Sequence, residues 1–584
     1  MSELLRLASA LRRSSDEQIR QLLRERMINS TPLRDFFDLA EALGKSTSIS
    51  STVAGLPKSQ VVALEKIIAG ETPETSAAHE LANLMLVEQL EGSGFTAYES
   101  TVEALSQFVR PTEPVAVFEV SATVQSDIDR DAGVATFETM QALTELLFDL
   151  EQRFVREVGK RNVGLPDLKR LANHLKKPND YAREVYDLAH LSGLIVLTDS
   201  RWQLGQTAVD WVSWNPQQRF AHLSRSWRAI LGDASAGELL ASLSKHTGPV
   251  SLNRELKLTY PFADGAVNSR ISKLAHLAEL IGISSNGWLS GWAKDVLTGD
   301  IEKATEAART RLPATQRKLI CQADLSLVAP GPLPTDIEIE LRKFTETEQI
   351  GMASTYRLSA LSISHGLETG LTEADIRRLL IDLSGKALPQ PIDYLLREGA
   401  QRFGRLTVSE NGELLRSVIR SVDPILLQEI FNQSKLKPFA LRQLEDGSLA
   451  SRFEPEVVYF GLRELGFTAI RVDESGQVIS PRIVAKISGA SQLLSPVDQD
   501  IERMREQEAK LGDAPDGDDV MRQIHLAIKN KTKIEITVAS RTGAEVLFTL
   551  EPIGIANGRL RAKDRKADIE RTLPLTSILK VTLE

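Results

Sequence analysis

The residues whose type and spacing could do chemistry are mostly basic. In the run Arg559-Leu560-Arg561-Ala562-Lys563, cations alternate with apolar residues. Side chains on a strand repeat every two residues, so Arg559, Arg561 and Lys563 share one face while Leu560 and Ala562 share the other. Lys529, Lys531, Lys533 and Arg571 lie in the same terminal segment, where twelve basic residues stand against seven acidic ones from 521 to 584. A second group, Lys169, Arg170, Lys176, Lys177 and Arg183, sits where ten basic residues stand against six acidic ones from 153 to 201. Ridges of this kind can hold nucleic-acid phosphates through charge alone. The plainer reading of the first ridge is protection of exposed strands against edge pairing. The plainer reading of the second is a structural or protein-docking role, because Asp180, Glu184 and Asp187 share the exposed helix face with Arg183 and repel phosphate.

Other chemistry is missing from the sequence. The eight histidines are scattered without metal-ligand spacing. Gly44-Lys45-Ser46 imitates the end of a phosphate loop, but Leu39 occupies the position where that motif needs its first glycine. No G-x-S-x-G elbow occurs, and Asp518-Asp519 lies in an acidic run where solvent keeps carboxylates ordinary. Cys321 is the single cysteine, which excludes an intrachain disulfide and fits a reducing compartment. These observations lead to a binding protein without a catalytic residue, metal or cofactor.

The 584 residues are 42% hydrophobic and 26% charged, with a net charge of −9, as for a soluble globular protein of several domains. No apolar run reaches the length of a membrane span, and the N-terminus lacks the layout of a signal peptide, so a cytoplasmic protein is expected.

The elements that would carry the basic ridges read in order along the chain. Leu4, Leu7, Ala8 and Leu11, then Ile19, Leu22 and Leu23, form helical stripes, and the Ser/Thr/Gly-rich stretch 44–58 reads as a connection. Helices are expected at Phe154–Val158, Leu165–Leu175 and Tyr181–Leu191, then a hairpin through Gly193–Leu197 and Trp202–Leu204. Three helices followed by a hairpin is the order of a winged helix-turn-helix. All six tryptophans fall between Trp202 and Trp292, and packing between helices is favoured over a stacking surface for single strands. Cys321 to Leu327 alternates apolar and polar residues and reads as one strand, halted by Pro330-Gly331-Pro332. Thr335-Asp-Ile-Glu338 and Thr372-Glu-Ala-Asp375 read as capping boxes, with Gly351 ending the first of these helices. Arg405–Val408 and Leu414–Val418 read as a hairpin.

Four blocks carry a family resemblance: Cys321-Gln-Ala-Asp-Leu-Ser-Leu-Val-Ala-Pro-Gly-Pro-Leu333, Thr355-Tyr-Arg-Leu-Ser359, Pro389-Gln-Pro-Ile-Asp-Tyr-Leu395 and Gly404-Arg-Leu-Thr-Val408. Together they resemble the XPB-type helicase N-terminal domain found in actinobacterial helicase-associated proteins. The terminal segment resembles the WYL-like domain of the same proteins, a small Sm-like barrel. Arg559-Leu560-Arg561 stands where such domains show Trp-Tyr-Leu, a departure that affects any ligand pocket carried over. No motor domain accompanies the resemblance, so it implies an accessory protein rather than a helicase.

The fold class expected is multidomain, mainly α with α+β units. A helical region (1–146) precedes a winged helix-turn-helix-like module (147–215) and a Trp-rich helical module (216–314). An XPB N-terminal-like α+β domain (315–420), a second α+β unit (421–494), an acidic linker (495–519) and a WYL-like β domain (520–584) follow. The function expected is a non-enzymatic protein that meets DNA by backbone contacts, alongside an XPB-type helicase or another repair or transcription protein, with no membrane partner. A WYL-type nucleotide-sensing regulator and a scaffold without nucleic acid stay open, as does the oligomeric state.

Overall fold

The computed structural model describes residues 3–479 apart from 27, 29–32, 91–93, 110–124, 153–154, 160, 199, 247 and 413, and then 496–511, 524, 527–528, 533–539, 545–556, 558–564 and 569–583. The chain divides into two units. One comprises Met1–Val115, Leu258–Asn268 and Gln492–Glu584, the other Ala116–Lys257 and Ser269–Ser491. Helices predominate and the described residues form six small sheets, so the mixed, multidomain class holds. No described helix is long and apolar enough to cross a membrane.

In the first unit the N-terminal stripes fold as expected. Leu7, Ala8, Leu11, Ile19, Leu22 and Leu23 are buried with Phe36, Leu39 and Ala40. Ser15 and Gln18 close a capping box at the second helix. The stretch read as a connection instead holds a helix, Ser46–Ala54, because Ile49, Val53 and Ala54 all find burial, which outweighs weak helix propensity. The acidic linker also departs from expectation. Pro496–Leu511 is a helix whose Ile501 and Met504 enter the N-terminal core. Its charges meet opposite charges: Arg505 lies 2.8 Å from Asp16, and Asp498 lies 2.8 Å from Arg20. Two apolar residues at i, i+3 and complementary partners on arginine-rich helices suffice to dock a sequence that reads as solvated. At the end of the chain, five antiparallel strands form a sheet whose outer strands are Ile569–Pro574 and Ile578–Leu583.

The second unit begins with the long helix Gln125–Gln152. Gly133 and Gly282 allow other segments to approach it. A Cβ on Gly133 would stand 2.4 Å from the Arg311 carbonyl, and one on Gly282 would stand 2.5 Å from the Ala132 carbonyl. Val155–Val158 is a strand rather than the expected helix, and Phe154 lies outside the described residues. Its β-branched ends suit the sheet it joins, where it pairs with Arg201–Leu204. Helices Leu165–Leu175 and Asn179–Leu191 and the hairpin Ile195–Thr198/Arg201–Leu204 follow as expected. Three of the tryptophans pack inward with their indole N–H groups bonded. Trp211 Nε1 donates to Thr144 Oγ1 at 3.0 Å, Trp227 Nε1 to the Leu274 carbonyl at 3.0 Å, and Trp292 Nε1 to the Gly282 carbonyl at 2.8 Å. Burial of the rings satisfies their polar ends and removes the stacking alternative for these three.

Further along, the expected strand through Cys321–Leu327 is a tight hairpin, Ile320–Cys321 against Ser326–Ala329. Asp324 Oδ1 accepts from the Ser326 amide at 3.0 Å, and Leu325 turns the chain at φ +72°. A period-two pattern cannot distinguish one strand from two short ones joined by an Asp turn. These strands, with Glu346–Gln349 and Ser354–Arg357, form a four-stranded antiparallel sheet covered by helices. Gly351 lies between the last two strands and does not end a helix. Thr372 and Asp375 close the capping box read from the sequence, and Ile376, Leu380 and Leu383 are buried beneath it. Thr335 does not cap its helix. Pro334 occupies the cap position with no side-chain bond, since its ring presets the entry angle one residue early.

The hairpin Leu406–Glu410/Ser417–Ser421 was expected to close this lobe. It instead founds the next sheet, in the order Arg442–Gln443, Leu449–Ser451, Ser417–Ser421, Leu406–Glu410, Ile470–Arg471. Val408, Ile419 and Leu449 face a core shared with Ile430, Tyr459 and Leu462.

Candidate nucleic-acid interface

The helix Leu165–Leu175 starts at Gly164 with Pro166 in its first turn and ends at Lys176, whose φ of +51° terminates it. That geometry disperses the first basic group. Arg170 is held by Asp149 at 2.8 Å and Asp167 at 2.6 Å. Burial works against its charge, but the two carboxylates prevail and hold its pKa above the usual arginine value. Lys177 pairs with Glu138 at 2.7 Å, its ammonium 5.5 Å from the Tyr181 ring centre. Lys176 donates to Gln349 Oε1 at 3.0 Å. Lys169 and Arg183 are exposed and form no ion pair among the described residues. Two of the five cations are therefore neutralised in place. The carboxylates beside Arg183 are occupied as well: Glu184 lies 2.8 Å from His276 Nε2, and Asp187 lies 2.7 Å from Lys273. Their repulsion is reduced, but that side of the helix is also covered.

On the terminal sheet the alternation is as read. Arg559, Arg561 and Lys563 are exposed while Leu560, Ala562 and Asp564 are buried. Acid residues border the ridge. Arg561 pairs with Glu570 at 3.0 Å, and Lys563 stands in register with Glu551 and Glu570. Arg571 does not join it. In register with Ala562 it points to the opposite face, bound to Asp564 at 2.7 Å with its guanidinium 4.7 Å from the Phe548 ring centre. Lys533 is exposed at the head of its strand, whereas Lys529 and Lys531 lie outside the described residues.

A buried ionic network was not legible in the sequence. Arg342 pairs with Glu145 of the long helix and lies 2.7 Å from Glu338, all three side chains being almost fully buried. His174 Nε2 lies 2.6 Å from Glu145 Oε2, and the Arg342 guanidinium stacks 5.0 Å from the Phe148 ring centre. Burial alone would raise the Glu145 pKa, but Arg342 and His174 overcome it and hold the carboxyl below its ordinary value. Arg219 nearby donates to the Trp211 carbonyl at 3.1 Å, and burial pulls its pKa down to about 10. The only hint was the Glu338/Arg342 spacing of i, i+4, which on most helices marks an exposed pair. The network ties the 155–204 module to the lobe that follows.

Burial raises the Cys321 pKa, so its thiol is poorly ionised. No group of three or more metal-ligating side chains occurs among the described residues. A cavity of about 20 Å³ beside Ala360, Ser364, Leu395 and Thr468 has room for one water and not for a nucleotide.

Residues 319–445 match the family model for the helicase conserved C-terminal domain. The matched segment begins in the tight hairpin, spans the whole four-stranded lobe and ends just after the edge strand Arg442–Gln443 of the next sheet. It makes this part of the chain helicase-related and covers less than a quarter of the protein. No curated protein matches the chain.

Proposed function

We propose that the protein is a non-enzymatic, DNA-associated accessory factor acting beside a helicase in a repair or transcription complex. The observation that carries this reading is the helicase-related segment, fastened by a buried ionic network to a module of winged-helix order. In that module a long helix, two short strands, two helices and a hairpin succeed one another, and the first strand pairs with the second strand of the hairpin. That order supports a winged helix. The finer resemblances, an XPB-type N-terminal domain for the lobe and a WYL-like terminal domain, belong to the same reading. The absence of Walker, nucleophile-elbow and metal-ligand motifs in the sequence supports a role without turnover. Operator reading by the helix Asn179–Leu191 is disfavoured, since Lys273 and His276 occupy part of its outward side.

Fluorescence anisotropy with labelled single-stranded and duplex DNA over a salt series tests the reading. Affinity should fall steeply with salt. The triple variant Lys169→Glu, Arg183→Glu, Arg559→Glu should bind at least tenfold more weakly. Equal binding by the variant, or DNA-stimulated ATP hydrolysis by the pure protein, would overturn the proposal.

A further inference from the structure

The sheet founded by Leu406–Glu410 and Ser417–Ser421 has a second face, opposite its core. Register determines its members. Ser409 pairs with Val418, Val418 with Ala450, and Ala450 with Arg442, so these four share one row. Arg420 lies two residues along the central strand, Arg416 immediately precedes that strand, and Arg452 immediately follows the strand of Ala450. All four arginines are exposed, while Val418, Ala450 and Ser409 at the centre are buried.

The four cations are lightly compensated. Arg416 pairs with Glu454, and Arg420 donates to Ser409 Oγ at 3.2 Å. The Arg452 guanidinium lies 5.2 Å from the Phe453 ring centre. Arg442 and Arg452 form no ion pair among the described residues. Asp446 is engaged by the Ser448 hydroxyl, which lowers its pKa more than Arg420 does.

We propose that this face holds the phosphate backbone of a nucleic-acid strand. A protein partner would need a large apolar or aromatic anchor, whereas the exposed apolar residue in this alternation is Val422, at the end of the strand, and Val418 and Ala450 are buried among guanidinium groups. Phosphates need nothing beyond cations and hydroxyls on a rigid support. The alternating positions on the face carry no aromatic residue, so bases are not stacked and binding is independent of sequence. The face lies on the sheet that the helicase-related segment enters, and the inference rests on the nucleic-acid reading above.

The test uses the full chain with Arg420→Ala, Arg442→Ala and Arg452→Ala combined. Affinity for mixed-sequence single-stranded DNA should fall at least tenfold, and the slope of log K against log salt should shrink by about 2, at about 0.7 per phosphate contact. Removing the same charge elsewhere, with Lys58→Ala, Lys66→Ala and Lys245→Ala, should change affinity less than threefold. If the triple arginine variant melts early, Arg442→Glu alone on the edge strand carries the test, with at least a fivefold loss expected. Wild-type binding that these variants leave intact overturns this inference and leaves the accessory-factor reading standing. A wild-type protein that binds no nucleic acid overturns both.

Discussion

Replacing Arg342 by methionine keeps the bulk of the side chain and removes its charge, leaving Glu145 and Glu338 in the space they occupy now. Their side chains are 5% and 6% exposed, so water cannot take over the lost interaction. Breaking a buried ion pair costs about 3–5 kcal/mol, because the remaining charge is stranded. His174, 2.6 Å from Glu145, carries part of that load and places the expected cost near the lower end, about 3 kcal/mol. For the second unit, about 365 residues long, that corresponds to a fall in Tm of roughly 4 °C, measured by calorimetry on the full chain. Adding Glu145→Gln removes one stranded charge and should recover about 1 kcal/mol or more, a coupling that a double-mutant cycle isolates. The sign with pH follows from the depressed Glu145 carboxyl. Its contribution is present above the ordinary glutamate pKa of about 4.3 and is lost as pH falls through the lowered value. Below about pH 4 the wild type loses the advantage and the variant's stranded carboxylates protonate, so the gap should narrow. A Tm change under 2 °C, no recovery by Glu145→Gln, or a gap that stays constant as pH falls from about 5 to about 3 would refute the reasoning.

Two further predictions concern points where sequence and structure differ. Thr372→Ala should cost about 1 kcal/mol in chemical denaturation, since the Thr372 hydroxyl caps its helix, whereas Thr335→Ala should be nearly neutral because Pro334 holds the cap position. Met504→Ala should lower the stability of the N-terminal helices by about 2–5 kcal/mol and speed their hydrogen exchange, because Met504 is fully buried among them. An unchanged exchange pattern would return 496–511 to the status of a solvated linker.

Local chemistry was legible wherever it was self-contained. The capping box at Thr372, the stripe Ile376/Leu380/Leu383 and the alternation along Arg559–Lys563 depend only on residues a few positions apart, and each formed as read. The tight hairpin at Cys321–Ser326 was not legible, because one strand and two short ones share the same period of two. The helix Pro496–Leu511 was hidden for a different reason. Its partners, Asp16 and Arg20, lie nearly five hundred residues away.

The candidate site divides along the same line. Sequence identified which cations exist and, on the strand Arg559–Asp564, which face they take, since strand geometry alone dictates that alternation. Whether a cation remains available depends on the carboxylates that folding brings to it. Arg170 and Lys177 are taken by Asp149 and Glu138 of one long helix and Arg416 by Glu454, while Arg420, Arg442 and Arg452 come from neighbouring strands and their ends. Coulomb energy depends on distance in space, and only the packed chain fixes those distances.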